Sequence, residues 1–368
     1  MNINHIKVLH VDTEKGWRGG QQQAAYLLSH MHERGYKTAL VCQPGSEFED
    51  FCRGKQLPCY PVPMRGEIDF FAGLKISRIC RQRDINILHL HSSHALAIGL
   101  WARLFHRNIR LIGVRRVDFP IKKSIFSRLK YTSSLVNRIV CISDNIRNVM
   151  IHDRVPEEKL TTIHSGVDIN KFEKEVPPPG FKGGLGIPED HIVVGTVAAI
   201  AGHKDYPNLL MAAKIVLDSR EKVTFCAVGD GPDRKKVHTL ARDLQLGNRF
   251  IFTGFRNDVG SFLKSFDLFV LSSYLEGLGT SVLDAQAVGL PVVGCDAGGI
   301  PEMITHGENG LLVPARNSEA LADAIIGLIQ NKEKRYEFGK RAKETVEKFS
   351  IKKTVEKNLK LYEELLSR

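Results

Sequence analysis

Two carboxylates, Glu276 and Asp284, bracket a glycine-rich turn in the run Ser272-Ser273-Tyr274-Leu275-Glu276-Gly277-Leu278-Gly279-Thr280-Ser281-Val282-Leu283-Asp284. Gly277 and Gly279 allow the backbone to turn tightly and a ligand to approach it closely. The run follows the apolar stretch Leu268–Leu271, which predicts a strand, and it opens a helix at about Thr280. The free N–H groups of Gly279, Thr280 and Ser281, together with the helix dipole, favour an anion such as phosphate. Glu276 stands just before the helix and Asp284 one turn inside it, so both can face a ligand seated at the helix start. A carboxylate accepts hydrogen bonds from sugar hydroxyls, often two at once. An acidic helix start with no ligand would use the same residues, so this run leaves two readings open.

Three other loops carry similar chemistry. In Val197-Ala198-Ala199-Ile200-Ala201-Gly202-His203-Lys204-Asp205, Lys204 offers a compact positive charge just after a strand. In Trp17-Arg18-Gly19-Gly20-Gln21-Gln22-Gln23, Gly19 and Gly20 precede a helix and make a place where backbone can meet phosphate. Val228-Gly229-Asp230-Gly231-Pro232 and Thr253-Gly254-Phe255-Arg256 end successive strands, where a nucleotide can lie along a sheet edge. Turn chemistry alone also accounts for Gly-Asp-Gly-Pro.

Short apolar runs alternate with helical periods along the whole chain. Strands are expected at Ile6–Val11, Thr38–Val41, Ile87–His91, Leu111–Val114, Arg138–Ile142 and Thr161–His164. Gln21–Arg34 has Ala24, Leu27, Leu28 and Met31 at helical spacing. The stretch Val176-Pro177-Pro178-Pro179-Gly180-Phe181-Lys182-Gly183-Gly184 predicts a connector. The rhythm then restarts at Val193–Val197, Thr224–Val228, Phe250–Phe252, Leu268–Leu271, Pro291–Cys295 and Gly310–Val313. This is an α/β pattern with parallel sheets. It predicts a first domain over 1–176, a linker over 177–186, a second domain over 187–348 and a final helical segment over 349–368. Ligands of such sheets bind outside the carboxyl ends of the strands, so two domains facing each other would make a cleft.

The 368-residue length suits two domains, and 43% hydrophobic and 25% charged residues are ordinary for a folded chain. No apolar run approaches the roughly 18–20 residues of a membrane span, and the first residues predict a strand rather than a signal peptide. Seven scattered cysteines without a C-x-x-C pair point to reduced thiols in a cytoplasm and away from zinc. The net charge is +11, and Arg103–Arg154 holds twelve Lys/Arg against three Asp. Such a patch attracts polyanions, including an anionic membrane surface. Within it, Phe119–Arg138 sets Ile121, Ile125, Phe126, Leu129 and Tyr131 among the cations and is expected to dock on anionic lipid or a lipid-linked acceptor.

Taken together, these motifs resemble the retaining glycosyltransferase family 4, which has the GT-B fold. The resemblance spans most of the chain and is strongest over Val193–Val313. It rests on the E-x7-E-like pair Glu276 and Asp284, the Val228–Pro232 loop, Thr253–Arg256, Gly289-Leu290-Pro291-Val292-Val293, Gly298-Gly299-Ile300-Pro301-Glu302, Asn309–Val313 and Ser165-Gly166-Val167-Asp168. It implies two Rossmann-like domains facing a cleft, with the C-terminal helix returning to the N-terminal domain. By resemblance, Glu276 would contact the donor sugar and Asp284 the ribose. Backbone at Gly19–Gly20 and Gly279–Ser281, with Lys204, would bind the diphosphate, and Phe255–Arg256 would flank the base. Three positions depart from the family pattern. Asp284 stands for a glutamate, Ala199 for an arginine and Arg116 for a histidine. Arg116 is a poor proton acceptor, so it would bind phosphate or an acidic acceptor.

The resemblance thus implies transfer, without a metal or other cofactor, from a UDP-, GDP- or ADP-sugar to a glycan or lipid-linked acceptor. The setting would be lipopolysaccharide or cell-surface polysaccharide synthesis, in the cytoplasm or on the inner membrane face. An epimerase or phosphorylase on the same fold is the neighbouring alternative, the latter lacking a recognisable pyridoxal site. The absence of G-x-G-x-x-G counts against a nicotinamide oxidoreductase. The absence of an aromatic-studded basic face or known module counts against nucleic-acid binding.

Overall fold

A computed structural model describes residues 5–121 and 125–367. The chain divides into two compact units, one of Met1–Gly166 with Ile351–Arg368 and the other of Val167–Ser350.

The first unit alternates strand and helix: β1 (Lys7–Val11), α1 (Gly19–Glu33), β2 (Lys37–Cys42), α2 (Glu47–Gly54), β3 (Cys59–Pro61), α3 (Phe70–Gln82), β4 (Ile87–Leu90), α4 (Ser93–Phe105), β5 (Arg110–Arg115), α5 (Ile125–Thr132), β6 (Val136–Cys141), α6 (Asp144–His152) and β7 (Leu160–Thr162). The strands pair in parallel in the order β3-β2-β1-β4-β5-β6-β7. Helices cover a parallel sheet on its faces, which is why β1, β2 and β4 are buried along nearly their whole length. Ser92 and Ser143 start their helices by accepting the amides of Ala95 and Ile146 at 3.0 and 3.1 Å. The short edge strand β3 has no counterpart in the sequence reading, because three residues ending in proline leave no periodicity to detect.

The second unit holds α7 (Phe181–Gly184), β8 (Ile192–Val197), α8 (Tyr206–Ser219), β9 (Val223–Val228), α9 (Arg234–Asp243), β10 (Phe250–Gly254), α10 (Val259–Ser265), β11 (Leu268–Leu271), α11 (Thr280–Ala287), β12 (Val292–Asp296), β13 (Gly310–Pro314), α12 (Ser318–Gln330) and α13 (Lys332–Val346). Its six strands are ordered β10-β9-β8-β11-β12-β13. The last helix, α14 (Ile351–Leu366), belongs to the first unit. There it packs along α1, and the Tyr362 hydroxyl meets His89 Nδ1 at 2.6 Å.

The chain passes between units at Gly166–Val167, earlier than the proline-rich stretch that composition marks as a linker. Residues 167–186 fold with the second unit for identifiable reasons. Phe172 is buried, Glu175 accepts the Gly260 amide at 2.8 Å, and Phe181 packs edge-on against Phe262 at 5.0 Å. In both sheets the strand order reverses beside the first strand, between β1 and β4 and between β8 and β11. Loops leaving neighbouring strands diverge at such a switch point and open a crevice.

Candidate active site

In the second unit the β8 and β11 loops bring Lys204 and Glu276 together across that crevice. The Lys204 ammonium forms an ion pair with Glu276 Oε2, and both side chains are largely shielded from solvent. Ser273 donates its hydroxyl to the same carboxylate at 3.2 Å. The two loops are also laced by backbone. Ser272 Oγ donates to the Lys204 carbonyl at 2.9 Å, and the Tyr274 amide donates to the His203 carbonyl at 3.1 Å. Ser272 and Ser273, which open the glycine-rich run without a role assigned to them there, support the pair. Their signal, two hydroxyls directly after a buried strand, is too common to stand out.

Gly279 caps α11 with φ of 89°, in the left-handed region that favours glycine. The amides of Gly279, Thr280 and Ser281 therefore precede the first intrahelical bond, from Val282 N to Gly279 O at 2.8 Å. The β12 loop braces this turn from behind. A Cβ on Gly298 would overlap the Glu276 carbonyl oxygen, and the Gly299 amide donates to that oxygen at 2.9 Å. Gly277 is the partner of this brace, since its carbonyl oxygen would lie 2.5 Å from a Cβ on Gly299.

Gly229 likewise supports a loop. Its φ is 141°, and a Cβ there would overlap the Ala198 carbonyl, so the β9 loop seats the loop that carries Lys204. Gly254, with φ of 71°, accepts the Gly229 amide at 2.9 Å. Phe255 is exposed, in keeping with an open stacking face. Arg256 is engaged by Asp258 through two bonds of 2.9 and 2.8 Å. Asp284, on α11, lies where the charges of Lys171 and Glu175 act on it. Burial raises its pKa to about 6; Lys171 opposes that rise and Glu175 adds to it.

The first unit builds a second polar group from β1, α1 and β5. Asp12, at the end of β1, is buried and accepts Gln21 Nε2 at 3.2 and 3.0 Å and the Glu14 amide at 2.9 Å. Gln21 Oε1 in turn accepts the Arg18 amide at 3.1 Å, which fixes the Gly19–Gly20 start of α1. Burial raises the Asp12 pKa, while hydrogen bonds from the Glu14 amide and Gln21 and the charge of Arg116 pull it down. Arg116 follows β5 and packs on Gly20, where an added Cβ would stand 3.3 Å from its Cδ. Burial lowers the Arg116 pKa to about 10, and Asp12 opposes that fall, so the guanidinium is charged at neutral pH. Asp12 was not legible in the sequence, since one acidic residue after a strand carries no pattern.

His10, His89 and His91 cluster on the sheet nearby, each with a ring nitrogen within 4.8 Å of the others. His10 and His89 are register partners on β1 and β4. His10 Nδ1 and His91 Nε2 are hydrogen-bonded at 2.9 Å, and His91 stacks on His10 and His89 at 26° and 28°. Stacked rings direct their in-plane lone pairs side by side rather than at one point, which suits packing better than chelation. Burial depresses all three pKa values, that of His10 to about 3.

In the basic stretch 119–138 the side chains of Ile125 and Phe126, on which the docking expectation partly rests, lie outside the described residues. Ile121 and Tyr131 are buried, and the Lys130 ammonium is held by Glu67 and Ser93 at 2.6 Å each. Phe119 and Leu129 are exposed, and Lys122, Lys123 and Ser124 lie outside the described residues. Among the described residues, no helix is long and apolar enough to cross a membrane.

Two parallel α/β units, with polar groups gathered on loops at the reversal of strand order, define the GT-B glycosyltransferase class. Residues 17–171 match Glycosyltransferase Family 4, and residues 181–345 match Glycosyl transferases group 1. EpsD of Bacillus subtilis is 30% identical over 305 residues, covering 78% of this chain and 79% of its own. The Escherichia coli UDP-Gal:alpha-D-GlcNAc-diphosphoundecaprenol alpha-1,3-galactosyltransferase is 22% identical over 379 residues, covering 97% and 96%. The crystal structure of Anabaena Alr3699/HepE in complex with UDP superposes with a TM-score of 0.86 at 20% identity, covering 98% of this chain and all of that one. The chain belongs to glycosyltransferase family 4 and is a glycosyltransferase of the GT-B fold.

Proposed function

We propose that this enzyme transfers a sugar, with retention at the anomeric carbon, from a UDP-, GDP- or ADP-sugar to a glycan or lipid-linked acceptor. Lipopolysaccharide or cell-surface polysaccharide assembly is the setting this reading favours, at the inner face of the cytoplasmic membrane. The observation that carries it is the Lys204–Glu276 pair beside the open amides of α11. An ammonium and three amides suit a diphosphate, while a carboxylate suits sugar hydroxyls. The relatives agree in kind, since UDP is bound in the Anabaena structure and a UDP-sugar and a lipid diphosphate are named for the E. coli enzyme.

In the reaction the bond from the anomeric carbon to the diphosphate oxygen breaks, and one to the acceptor oxygen forms on the same face. The acceptor's proton passes to a donor phosphate oxygen. Lys204 and the α11 amides stabilise the charge gathering on the leaving diphosphate without the help of a metal ion. When the sugar arrives, Glu276 exchanges part of its bond to Lys204 for bonds to hydroxyls, which frees the ammonium for phosphate. Asp284 holds the ribose, and Phe255 stacks on the base. In the first unit, Arg116 and the Gly19–Gly20 turn hold an anionic group.

A calorimetric screen of UDP, GDP and ADP, followed by NMR of the product's anomeric proton, tests this reading. Micromolar binding of one diphosphate and a retained configuration are expected. Inversion, or binding of none of the three, refutes it.

A further inference from the structure

The strongest exposed apolar surface among the described residues is at the start of α3 and the end of α4, in the first unit. Ile68 is 86% exposed, Phe71 72%, Leu104 51% and Phe70 42%. Phe70 ties the two helices together at this point. Phe70 packs edge-on against Phe71, Trp101 and Phe105 with ring centres 5.5, 6.1 and 4.9 Å apart. Single exposed apolar residues are commonplace, but an adjacent group with aromatics at its tip marks a contact surface.

Cations outnumber acids around this group. Phe71, Lys75 and Arg78 recur at helical spacing along the exposed side of α3, and Arg81 at its far end donates to the Phe105 carbonyl. Arg103, Arg107 and Arg110 follow on and after α4, and residues 93–110 contain no Asp or Glu. Among the described residues, none of Lys75, Arg78, Arg103, Arg107 and Arg110 has a carboxylate within the 4.0 Å of an ion pair. The two acids beside the patch are already engaged. Glu67 holds Lys130 at 2.6 Å, and Asp69 caps α3 by accepting the amides of Ala72 and Arg65 at 3.0 and 2.9 Å.

We propose that this surface docks on an anionic lipid bilayer, with Ile68, Phe70, Phe71 and Leu104 inserted at the headgroup level and the cations of α3 and α4 on lipid phosphates. The inference deepens the lipid-linked acceptor reading and rests on it. An apolar tip ringed by unpaired cations matches the two layers of an anionic interface, one apolar and one negative.

The test is co-sedimentation of the full chain with vesicles of phosphatidylcholine alone or mixed with phosphatidylglycerol. Binding should be stronger to the mixed vesicles by about 100-fold and should weaken with salt. Ile68→Ser with Phe71→Ser, and separately Lys75→Glu with Arg78→Glu, should each remove at least about nine-tenths of the binding. All four side chains are exposed, so the melting temperature should not change. Equal binding to both vesicle types, or wild-type binding by either double variant, overturns the proposal. So does a wild-type dimer that the Ile68/Phe71 variant dissolves, because the face would then belong to a second copy. Calorimetry of UDP, GDP and ADP on the same variants keeps the two readings apart. Unchanged diphosphate affinity with lost vesicle binding locates the effect at the surface, and absence of all diphosphate binding in the wild type instead removes the transfer reading.

Discussion

Glu276 and Lys204 lie 72 positions apart, and each makes the other's burial tolerable. Removing one leaves its partner largely shielded from water and without its main counter-charge, so the two variants should differ in what they lose. Glu276→Gln keeps the shape and can still bond sugar hydroxyls weakly. It should lower kcat by on the order of 100-fold or more while the diphosphate still binds. Steady-state kinetics with the donor found in the screen checks this, and wild-type turnover would contradict it. Lys204→Ala should weaken diphosphate binding by about 1–3 kcal/mol, the range of one charge-assisted hydrogen bond. Calorimetry showing unchanged affinity would remove Lys204 from the phosphate site. At this scale the carboxylate and the lysine were legible, because residue type and a preceding strand already suggest their chemistry. Ser273 and Asp12 were not, because their importance comes only from what they touch.

The elements that hold these side chains work through close backbone contacts. The β12 loop can brace the Glu276 turn because Gly298 has no Cβ and has φ of 56°. Gly298→Ala must push the Glu276 carbonyl away and also strain its own backbone. A loss of about 1–3 kcal/mol is expected, with a fall in donor affinity and little change in secondary structure. Chemical denaturation and circular dichroism check this, and a fully stable variant with wild-type affinity would show the brace to be dispensable. Gly229 bears the same relation to the Lys204 loop. The sequence reading placed Gly229 at the ligand, because a glycine after a strand permits both close ligand approach and close backbone approach. The structure shows the close backbone approach, to the Ala198 carbonyl.

For the whole molecule, buried titratable groups give the two units opposite responses to acid. In the first unit the folded-state pKa values of His10, His89 and His91 lie below the ordinary value of 6.5, that of His10 at about 3. Between those values the unfolded chain binds protons that the folded unit refuses, so stability falls as pH drops below about 6.5. Each histidine contributes up to about 1.4 kcal/mol per pH unit. In the second unit the folded Asp284 pKa is raised from 3.8 to about 6. There the folded state keeps its proton where the unfolded state has lost it, so the contribution is present below about pH 4 and is lost as pH rises through 6. Calorimetric melting from pH 8 to pH 4 should therefore show an early transition that moves steeply down in temperature, and His10→Gln should flatten it. Asp284→Asn should stabilise the later transition at pH 7.5 more than at pH 4. Transitions that shift in parallel in the wild type, or no effect of these two variants, would contradict this account.

Local pattern determined a great deal about this protein. Strand and helix periods, the glycine turn before Thr280 and the lysine after β8 are consequences of neighbouring residues, and they specified two parallel α/β sheets and the residues proposed for the donor site. The ion pair between distant loops, the Asp12–Gln21–Arg116 group, the stacked histidines and the unit border at Gly166 were decided by tertiary structure. Each depends on which strands lie side by side, and a parallel sheet joins strands through crossovers whose order leaves no mark on local periodicity. The same holds for the α3–α4 surface. Exposure is a property of what fails to pack on a residue, and no residue's own type records that.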